Sequence, residues 1–558
     1  MSASTPKKNS FFGGAAILTA SVIVVKLIGA LYKVPLGNIL TDAAFADFNT
    51  AYDIYSLLII ISTGGLPVAL SKMVSEANAL GRVNQVKKVF TLALAAFCVL
   101  GTISFCIMAF LPQQLADLMQ DSHAAYSILA LAPAVFFICP MSAMRGYFQG
   151  HAQMTPTAVS QVIEARCKRV IGLALASAFK TSFEDEAMAA AGAILGVSVG
   201  CLLGAVYMYV CYRRHSRSQP RSNDEPEDSK AILTTLAALA IPITLSSSVI
   251  ALTNILDNAI LMGRLQDALG LSLDEARTLK GVYNKALTLY NLPASFMVPL
   301  TASVIPHVSA ALKVKRRRQA AQISETTLRT TALLAIPAGV GLFVLGEPII
   351  RLLYASTDVE LGGWMLSVLG AASIAVCFML VSNSILQAHR MVALPMTTTV
   401  IGCAMKLAVG YVLIGSEDIG IRGGPISTVV CFWLIALLDL FIIKRTLPRS
   451  LSMARVFVKP VGAAAAMGAA AWAVNGLCYQ LLVKLNLFLE LGEDEKPLLD
   501  AAGNALLSRT GTALSVAAAI GVAVVVYFAL ILVTRAISKE DLALLPKGDK
   551  IARILRVE

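Results

Sequence analysis

Seven cationic side chains fall inside stretches otherwise apolar enough to cross a bilayer: Lys26, Lys33, Arg166, Lys168, Arg169, Lys285 and Lys406. A cation at mid-bilayer costs about 2.5–3.5 kcal/mol even on the lenient insertion scale. Such a group needs water, a counter-ion or an anionic ligand. Lys26 lies about 15 residues into the first apolar stretch, roughly 22 Å at 1.5 Å per residue, where neither surface is within easy reach. Lys33, seven residues on, and Lys285 stand nearer the rim, where snorkelling is the alternative reading. Arg166 and Arg169, at i, i+3, form a positive ridge. Beside them Glu164 and Lys168 have the i, i+4 order that lets them satisfy each other, so a structural ion-pair network is the bland alternative. Acidic groups at this depth are few: Glu164, Asp257 and Asp439. The interior is net positive and suits an anion, with arginine suited to phosphate oxygens through bidentate hydrogen bonds. Asp257 and Glu164 are read as coupling-ion ligands or counter-ions.

Other chemistries find little support. The ten cysteines sit in apolar runs without a C-x-x-C pair, which argues against a disulfide framework and against zinc. No H-E-x-x-H occurs, and the absence of any Gly-Lys dipeptide excludes a Walker A loop. No cofactor or bound metal is expected, although Na⁺ or H⁺ coupling stays open. A net charge of +12 in a soluble chain would suggest nucleic acid. Here 57% of the residues are apolar and 14% charged, too few polar groups to cover a soluble surface. Nucleic acid is therefore excluded as a partner, and the bilayer takes its place.

The elements that must hold these residues are transmembrane helices of about 20 residues each. We expect an all-α integral membrane fold with fourteen of them, near 11–35, 53–77, 88–111, 124–147, 156–179, 188–212, 234–261, 283–312, 328–346, 363–388, 393–415, 424–443, 456–482 and 511–535. The connectors alternate: thirty Lys and Arg fall on the side of the N-terminus and nine opposite, among them Arg277 and Lys280. By the positive-inside rule both termini are cytoplasmic. Arg145 is counted with the cytoplasmic connectors. Phe148-Gln149-Gly150-His151 with Pro156, and Leu386-Gln387-Ala388-His389 with Pro395, repeat at an offset of 238 or 239 residues. That offset is six spans, an even number, so the repeats are parallel. The expected organisation is two six-helix lobes, 1–225 and 226–445, and an added helix pair with a tail, 446–558. The polar stretch Arg213–Lys230 reads as their linker. Gly192, Gly196, Gly200 and Gly204 stripe one face of the sixth span and read as a packing surface. Gly64-Gly65-Leu66-Pro67 and Asn291-Leu292-Pro293 interrupt spans two and eight, which makes Gly65, Pro67 and Pro293 candidate hinges, with a packing kink as the alternative.

Lys26-Leu27-Ile28-Gly29-Ala30-Leu31-Tyr32-Lys33-Val34-Pro35-Leu36, and Gly65-Leu66-Pro67-Val68-Ala69-Leu70-Ser71-Lys72 with Glu76, resemble the first two spans of the stage V sporulation protein B/MurJ-like group. Arg145-Gly146-Tyr147-Phe148-Gln149-Gly150, followed by Pro156-Thr157-Ala158 and Ser160-Gln161-Val162-Ile163-Glu164, is similar to that group's fourth-to-fifth span junction; Ala165 departs from it, standing where an amide is expected. These are polysaccharide-precursor flippases of the multidrug/oligosaccharidyl-lipid/polysaccharide exporter superfamily. The resemblance implies a V-shaped pair of lobes around a cationic cavity in a bacterial cytoplasmic membrane. It also implies a groove for a lipid tail at spans thirteen and fourteen, and lipid II or another polyprenyl-diphosphate-linked glycan as substrate. Lys26 matches a cavity cation of the group by motif, and Lys285 lies near one. On this reading the diphosphate meets Lys26, Arg166, Arg169, Lys285 and Lys33, and the protein works as a monomer. Rivals are a flippase for a teichoic-acid or capsule unit, a small-molecule exporter, which should prefer an acidic cavity, and a membrane enzyme. The last should carry catalytic groups in an outer loop; the longest, about 483–510, has Glu490, Glu493, Asp494, Glu495 and Asp500 but no placed nucleophile or base, and reads as a solvated acidic loop.

Overall fold

Backbone polar groups in lipid must bond to one another, so an apolar chain of this kind is confined to helices. The computed structural model describes residues 21–446, 453–490 and 505–534, apart from positions 22, 23, 26, 27, 30, 31, 184, 220, 221, 355, 390 and 392. It is 88% helix, and among the described residues the β pairing amounts to an isolated bridge between Leu489 and Leu507.

The chain divides into two compact units, Met1–Gly281 and Val282–Glu558. The first contains α1 (32–39), α2 (Asp42–Thr63), α3 (Leu66–Ala79), α4 (Val83–Phe110), α5 (Pro112–Leu118), α6 (Ala125–Gly150), α7 (Thr155–Phe183), α8 (Glu186–Ser218), α9 (Ser229–Asp267) and the first turns of α10 (Leu273–Lys313). The second contains the rest of α10, then α11 (Arg317–Val344), α12 (Gly346–Leu353), α13 (Val359–Ala388), α14 (Ala393–Ile414), α15 (Gly423–Thr446), α16 (Met453–Lys484) and α17 (Arg509–Val533). Compactness thus draws its boundary after Gly281, whereas the repeat draws one near residue 225. The cause is α9, which packs on α2, α3 and α4. The first turns of α10 follow it, with Gly281 pressed so close to Asp42 that a Cβ would overlap that residue's backbone. The final pair, α16 and α17, packs on α11 and α12 within the second unit.

Ten spans among the described residues are long and apolar enough to cross a membrane, and α9, bent by 41°, makes an eleventh. Their outward faces carry bare apolar side chains, such as Trp472 at 72% exposure, as lipid contact requires. Of the fourteen spans expected, the first falls largely outside the described residues. The fifth and eighth correspond to α7 and α10, helices of 29 and 41 residues. Glu164, Arg166, Lys168 and Arg169 at the centre of α7 lower its apolarity. The segments hardest to recognise as spans are thus those that carry the ionisable residues.

The glycine stripe explains how α7 is held. A Cβ at Gly192 would come within 2.8 Å of the Leu175 carbonyl, and one at Gly200 within 2.9 Å of the Glu164 carbonyl; at Gly196 it would overlap Gly172. Without side chains on that face, α8 lies backbone to backbone against α7 and fixes its rotation.

The expected interruption at Gly64-Gly65 is a real break between α2 and α3, with Pro67 in the first turn of α3. Thr244 of α9 accepts the Gly65 N–H at 3.0 Å, and a Cβ at Gly65 would overlap the Ala240 carbonyl. Around Pro293, by contrast, α10 runs on as one helix. The linker is docked as well. The Asp224 carboxylate accepts the backbone N–H groups of Asn84 and Gln85, each at 2.9 Å, and so caps the start of α4 from a distance in sequence. Desolvation pushes the Asp224 carboxyl up, but the Ser222 hydroxyl and those two N–H groups outweigh it and hold it below the usual carboxylate range. Lys88 adds a bond to the Glu227 carbonyl at 2.6 Å.

Candidate functional site

Gln161, Glu164, Ala165 and Lys168 recur at i, i+3, i+4 and i+7, so they share one face of α7. That face lines a cavity of about 340 Å³ together with Tyr32, Tyr52 of α2 and Arg145 of α6. Lys168 Nζ donates to the Tyr52 hydroxyl at 2.5 Å. The ammonium also lies 4.3 Å from the Tyr52 ring centroid and 5.2 Å from that of Tyr32, within cation–π range of both. The rings of Tyr32, Phe48, Tyr52 and Tyr55 follow one another at 6.2, 5.5 and 5.4 Å, which keeps Tyr52 in place. Opposite, Arg145 Nη2 pairs with Glu164 Oε2 at 3.2 Å, and Arg145 Nε donates to Ser160 Oγ at 2.9 Å. One carboxylate therefore faces two cations in a cavity with apolar walls. Such a site can hold an anion against an ammonium already oriented by aromatic rings.

Helical rotation separates the predicted cations of α7. Arg166 is exposed and Arg169 half-buried, and neither lines the cavity; the residue between them in sequence, Lys168, does. The expected Glu164–Lys168 pair does not form, because Arg145 takes the carboxylate and Tyr52 the ammonium. Arg145 itself belongs to no connector. It lies more than a turn inside α6, which runs on to Gly150, and its side chain is 12% exposed. Lys26 lies outside the described residues, while Val25, Ile28 and Gly29 line the cavity. Lys33 is half-buried and donates to Asn49 Oδ1 at 3.0 Å.

A second ionic cluster closes on the first turns of α10. Arg277 grips Asp47 with two bonds, Nε to Oδ1 at 2.9 Å and Nη2 to Oδ2 at 2.6 Å, and reaches Asp274 at 2.6 Å. Lys280 donates to Thr50 at 2.5 Å and pairs with Asp121 at 3.3 Å. Both cations were expected in a solvated connector, yet they are 3% and 2% exposed, because α10 begins at Leu273 and carries them into the bundle. Burial pushes the Asp121 carboxyl up, but Lys280, the Thr50 hydroxyl and Arg277 prevail and hold it below its ordinary value. Asp257, half-buried on α9, adjoins Asn258, whose side chain donates to Asp53 Oδ2 at 2.9 Å.

In the second unit Lys285 is fully buried, with its ammonium 5.3 Å from the Tyr354 ring centroid, so it does not snorkel to a surface. Lys406 is 8% exposed, and Asp439, wholly buried, accepts from the Thr398 hydroxyl at 2.7 Å. Pro293 is half-buried on α10.

Residues 11–312, more than half of the chain, match the family described as Polysaccharide biosynthesis protein. The chain belongs to that family. Residues 281–412 also match the MatE family. In Bacillus subtilis (strain 168), Stage V sporulation protein B is 25% identical over 544 residues, 97% of this chain and 98% of that protein. Lipid II flippase MurJ of the same organism is 26% identical over 420 residues, 72% of this chain and 77% of its own length. A solved structure of lipid II flippase MurJ in an inward closed conformation matches with a TM-score of 0.66 and covers 93% of this chain and 98% of that one; at 15% identity this is a likeness of fold. The family membership and the apolar helices make this a multi-pass membrane transporter of the MOP superfamily.

Within this family member, the residues that sequence reading passed over had a usable signal. Lys168 shares the i, i+3, i+4, i+7 register of Gln161, Glu164 and Ala165, and that register also points Arg166 away. Asp47, Arg277 and Lys280 had none, since they lie in the first turns of helices whose boundaries pattern alone does not fix; Asp53, mid-way along α2, had none either.

Proposed function

We propose that this chain is a flippase. It carries a polyprenyl-diphosphate-linked cell-wall precursor, lipid II first among the candidates, from the inner to the outer leaflet by alternating access. The observation that carries this reading is the cavity in the first unit, where Lys168 and Arg145 face one carboxylate inside an apolar bundle. An exporter of cationic drugs would want the opposite polarity. Two of the relatives are named as flippases, which points the same way. In the proposal the helices number fourteen, with α7, α10 and the first apolar stretch crossing too, both termini are cytoplasmic and the two parallel lobes follow the repeat. Lys26, Lys33 and Lys285 receive the diphosphate during the cycle, joined by Lys168 in place of Arg166 and Arg169, which do not line the cavity. Gly65, Pro67 and Pro293 act as hinges. Glu164 and Asp257 serve as counter-ions or as ligands of a coupling Na⁺ or H⁺. The protein acts as a monomer in a bacterial cytoplasmic membrane.

Moving a diphosphate outward runs down an inside-negative potential, worth about 2.3 kcal/mol per charge per 100 mV, so roughly 4–5 kcal/mol is available without ATP. The test is the purified protein in vesicles with lipid II and an imposed potential, scoring the headgroup accessible from outside. Potential-dependent exposure is expected from the wild type and its loss from Lys26→Ala. Normal flipping by a correctly inserted Lys26→Ala protein would sink the proposal. A second substrate reading, a teichoic-acid or capsule unit, is separated by depleting the protein and identifying the lipid intermediate that accumulates.

A further inference from the structure

At one end of the second unit, α12, α16 and α17 enclose a cavity of about 250 Å³. Its lining is polar and balanced. Glu347 and Arg351 of α12, at i, i+4, pair at 2.9 Å, with the guanidinium about a quarter exposed. From α17 comes Thr512, 2% exposed, whose hydroxyl has no hydrogen-bond partner among the described residues. The same holds for the side-chain carbonyl of Asn475 on α16. Ser515, 3% exposed, stands one turn further along α17. Pro348, Leu507 and Tyr479, whose hydroxyl is taken up by the Ala505 carbonyl at 2.8 Å, complete the wall.

These groups select a ligand by elimination. An anion needs surplus positive charge, and Glu347 already cancels Arg351. A cation needs a spare carboxylate, and the lining has one, which is taken. An apolar guest would leave Thr512 and Asn475 unsatisfied, at about 1–3 kcal/mol each. What fits is a neutral molecule that donates and accepts at several adjacent points, as hydroxyl groups on a ring do. The cavity is smaller than the roughly 300–1,000 Å³ of drug-sized sites, which limits the guest to a single ring. A zwitterionic lipid headgroup would have to pull the Glu347–Arg351 pair apart to use both ends. We propose that this cavity is a binding subsite for one neutral sugar ring, its hydroxyls meeting the Glu347–Arg351 pair, Asn475 and Thr512, and its C–H face lying on Pro348 and Leu507. The proposal rests on this cavity alone and does not depend on the flippase reading.

The test uses the full chain in lipid nanodiscs, free of sugar-based detergent. Saturation transfer is recorded to methyl glucoside and methyl N-acetylglucosaminide, with glycerophosphoethanolamine as the comparator. Transfer to at least one glycoside is expected from the wild type, with a drop of at least fivefold in Thr512→Val and in Glu347→Gln. Thr512→Val removes a buried hydroxyl that has no partner among the described residues, so its thermal midpoint should hold or rise while binding is lost; a purely structural residue would not behave so. Glu347→Gln lies on a partly exposed helix face and keeps the test alive if Thr512→Val fails to fold. Equal transfer in wild type and both variants, or none from the wild type to either glycoside, overturns the assignment. So does transfer to glycerophosphoethanolamine alone, which would give the cavity to a zwitterionic headgroup. A protein that binds the glycosides yet flips no lipid-linked glycan refutes the earlier reading and leaves this one standing.

Discussion

Lys168 of α7 meets Tyr52 in the first unit, and 238 residues on, Lys406 of α14 lies within electrostatic reach of Tyr290 in the second. The same offset relates Ser160 to Thr398, His151 to His389 and Cys201 to Asp439. The acids do not follow it. The first unit places Glu164 on the lysine's own helix and pairs it with Arg145; the corresponding positions of the second are Gly402 and Asn383, both neutral. The second unit places Asp439 on α15, bonded to Thr398, where the first has Cys201, 3.8 Å from the Tyr55 hydroxyl. A duplicated scaffold keeps the lysine and its ring, since both follow from backbone position. The acid is not tied to that position: Glu164 is held by Arg145, and Asp439 by the Thr398 hydroxyl.

The sharpest way to break this comparison is to remove the lysines one at a time. Lys168→Ala should cut flux in the vesicle assay by about a hundredfold, in line with the loss of one preorganised charge contact. Lys406→Ala, in the unit whose matching position holds no acid, should cost about tenfold; equal losses would make the two sites functionally symmetric. Next in size is the pairing in the first unit. Arg145→Met strands Glu164 in a half-buried place, and unfolding in denaturant should show a loss of about 2–3 kcal/mol, below the 3–5 of a fully buried pair. Asp439→Asn removes a charge held by one hydroxyl and should change stability by less than about 1 kcal/mol.

Acid should separate the units as well. Because the folded Asp121 carboxyl is held below its ordinary value, its stabilisation is complete above the unfolded value near 4 and is lost as pH falls through the folded one. Hydrogen exchange at residues 273–281 should therefore lose protection relative to 359–388 as pH falls below about 4. Asp121→Asn should abolish that difference. The smallest effect belongs to the rings. Tyr52→Phe removes one hydrogen bond from Lys168 and keeps the ring, so flux should fall about fivefold, near 1 kcal/mol, with Tyr290→Phe in parallel as the control.

Much of this architecture was legible from residue order. Apolar runs announced the helices, the glycines at 192, 196, 200 and 204 announced a close face, and Gly64-Gly65 announced the break before α3. On α7 the sequence reading picked Arg166 and Arg169, whereas the register of the helix turns Lys168 to the cavity. The rest was not, for physical reasons. Where α2 and α10 begin decides whether Asp47, Arg277 and Lys280 are solvated or buried, and hydropathy is blind to a helix end at which acids and bases cancel each other. Arg145 illustrates the same point from α6: a cation near a helix end looks like a connector until its partner, nineteen residues on, is known.

The docked linker has one more consequence. Between the end of α8 at Ser218 and the start of α9 at Ser229 lie ten residues, which as an unpinned random coil would reach about 18 Å. Asp224 pins that chain near its middle to the start of α4, leaving about five residues on its free side and a reach of about 12 Å. Since the space available to a tethered end shrinks with the cube of its reach, the effective concentration of α9's first turn beside α4 rises about threefold. The acidic patch in the linker thus acts as a polymer clamp, holding the first turn of α9 near the start of α4.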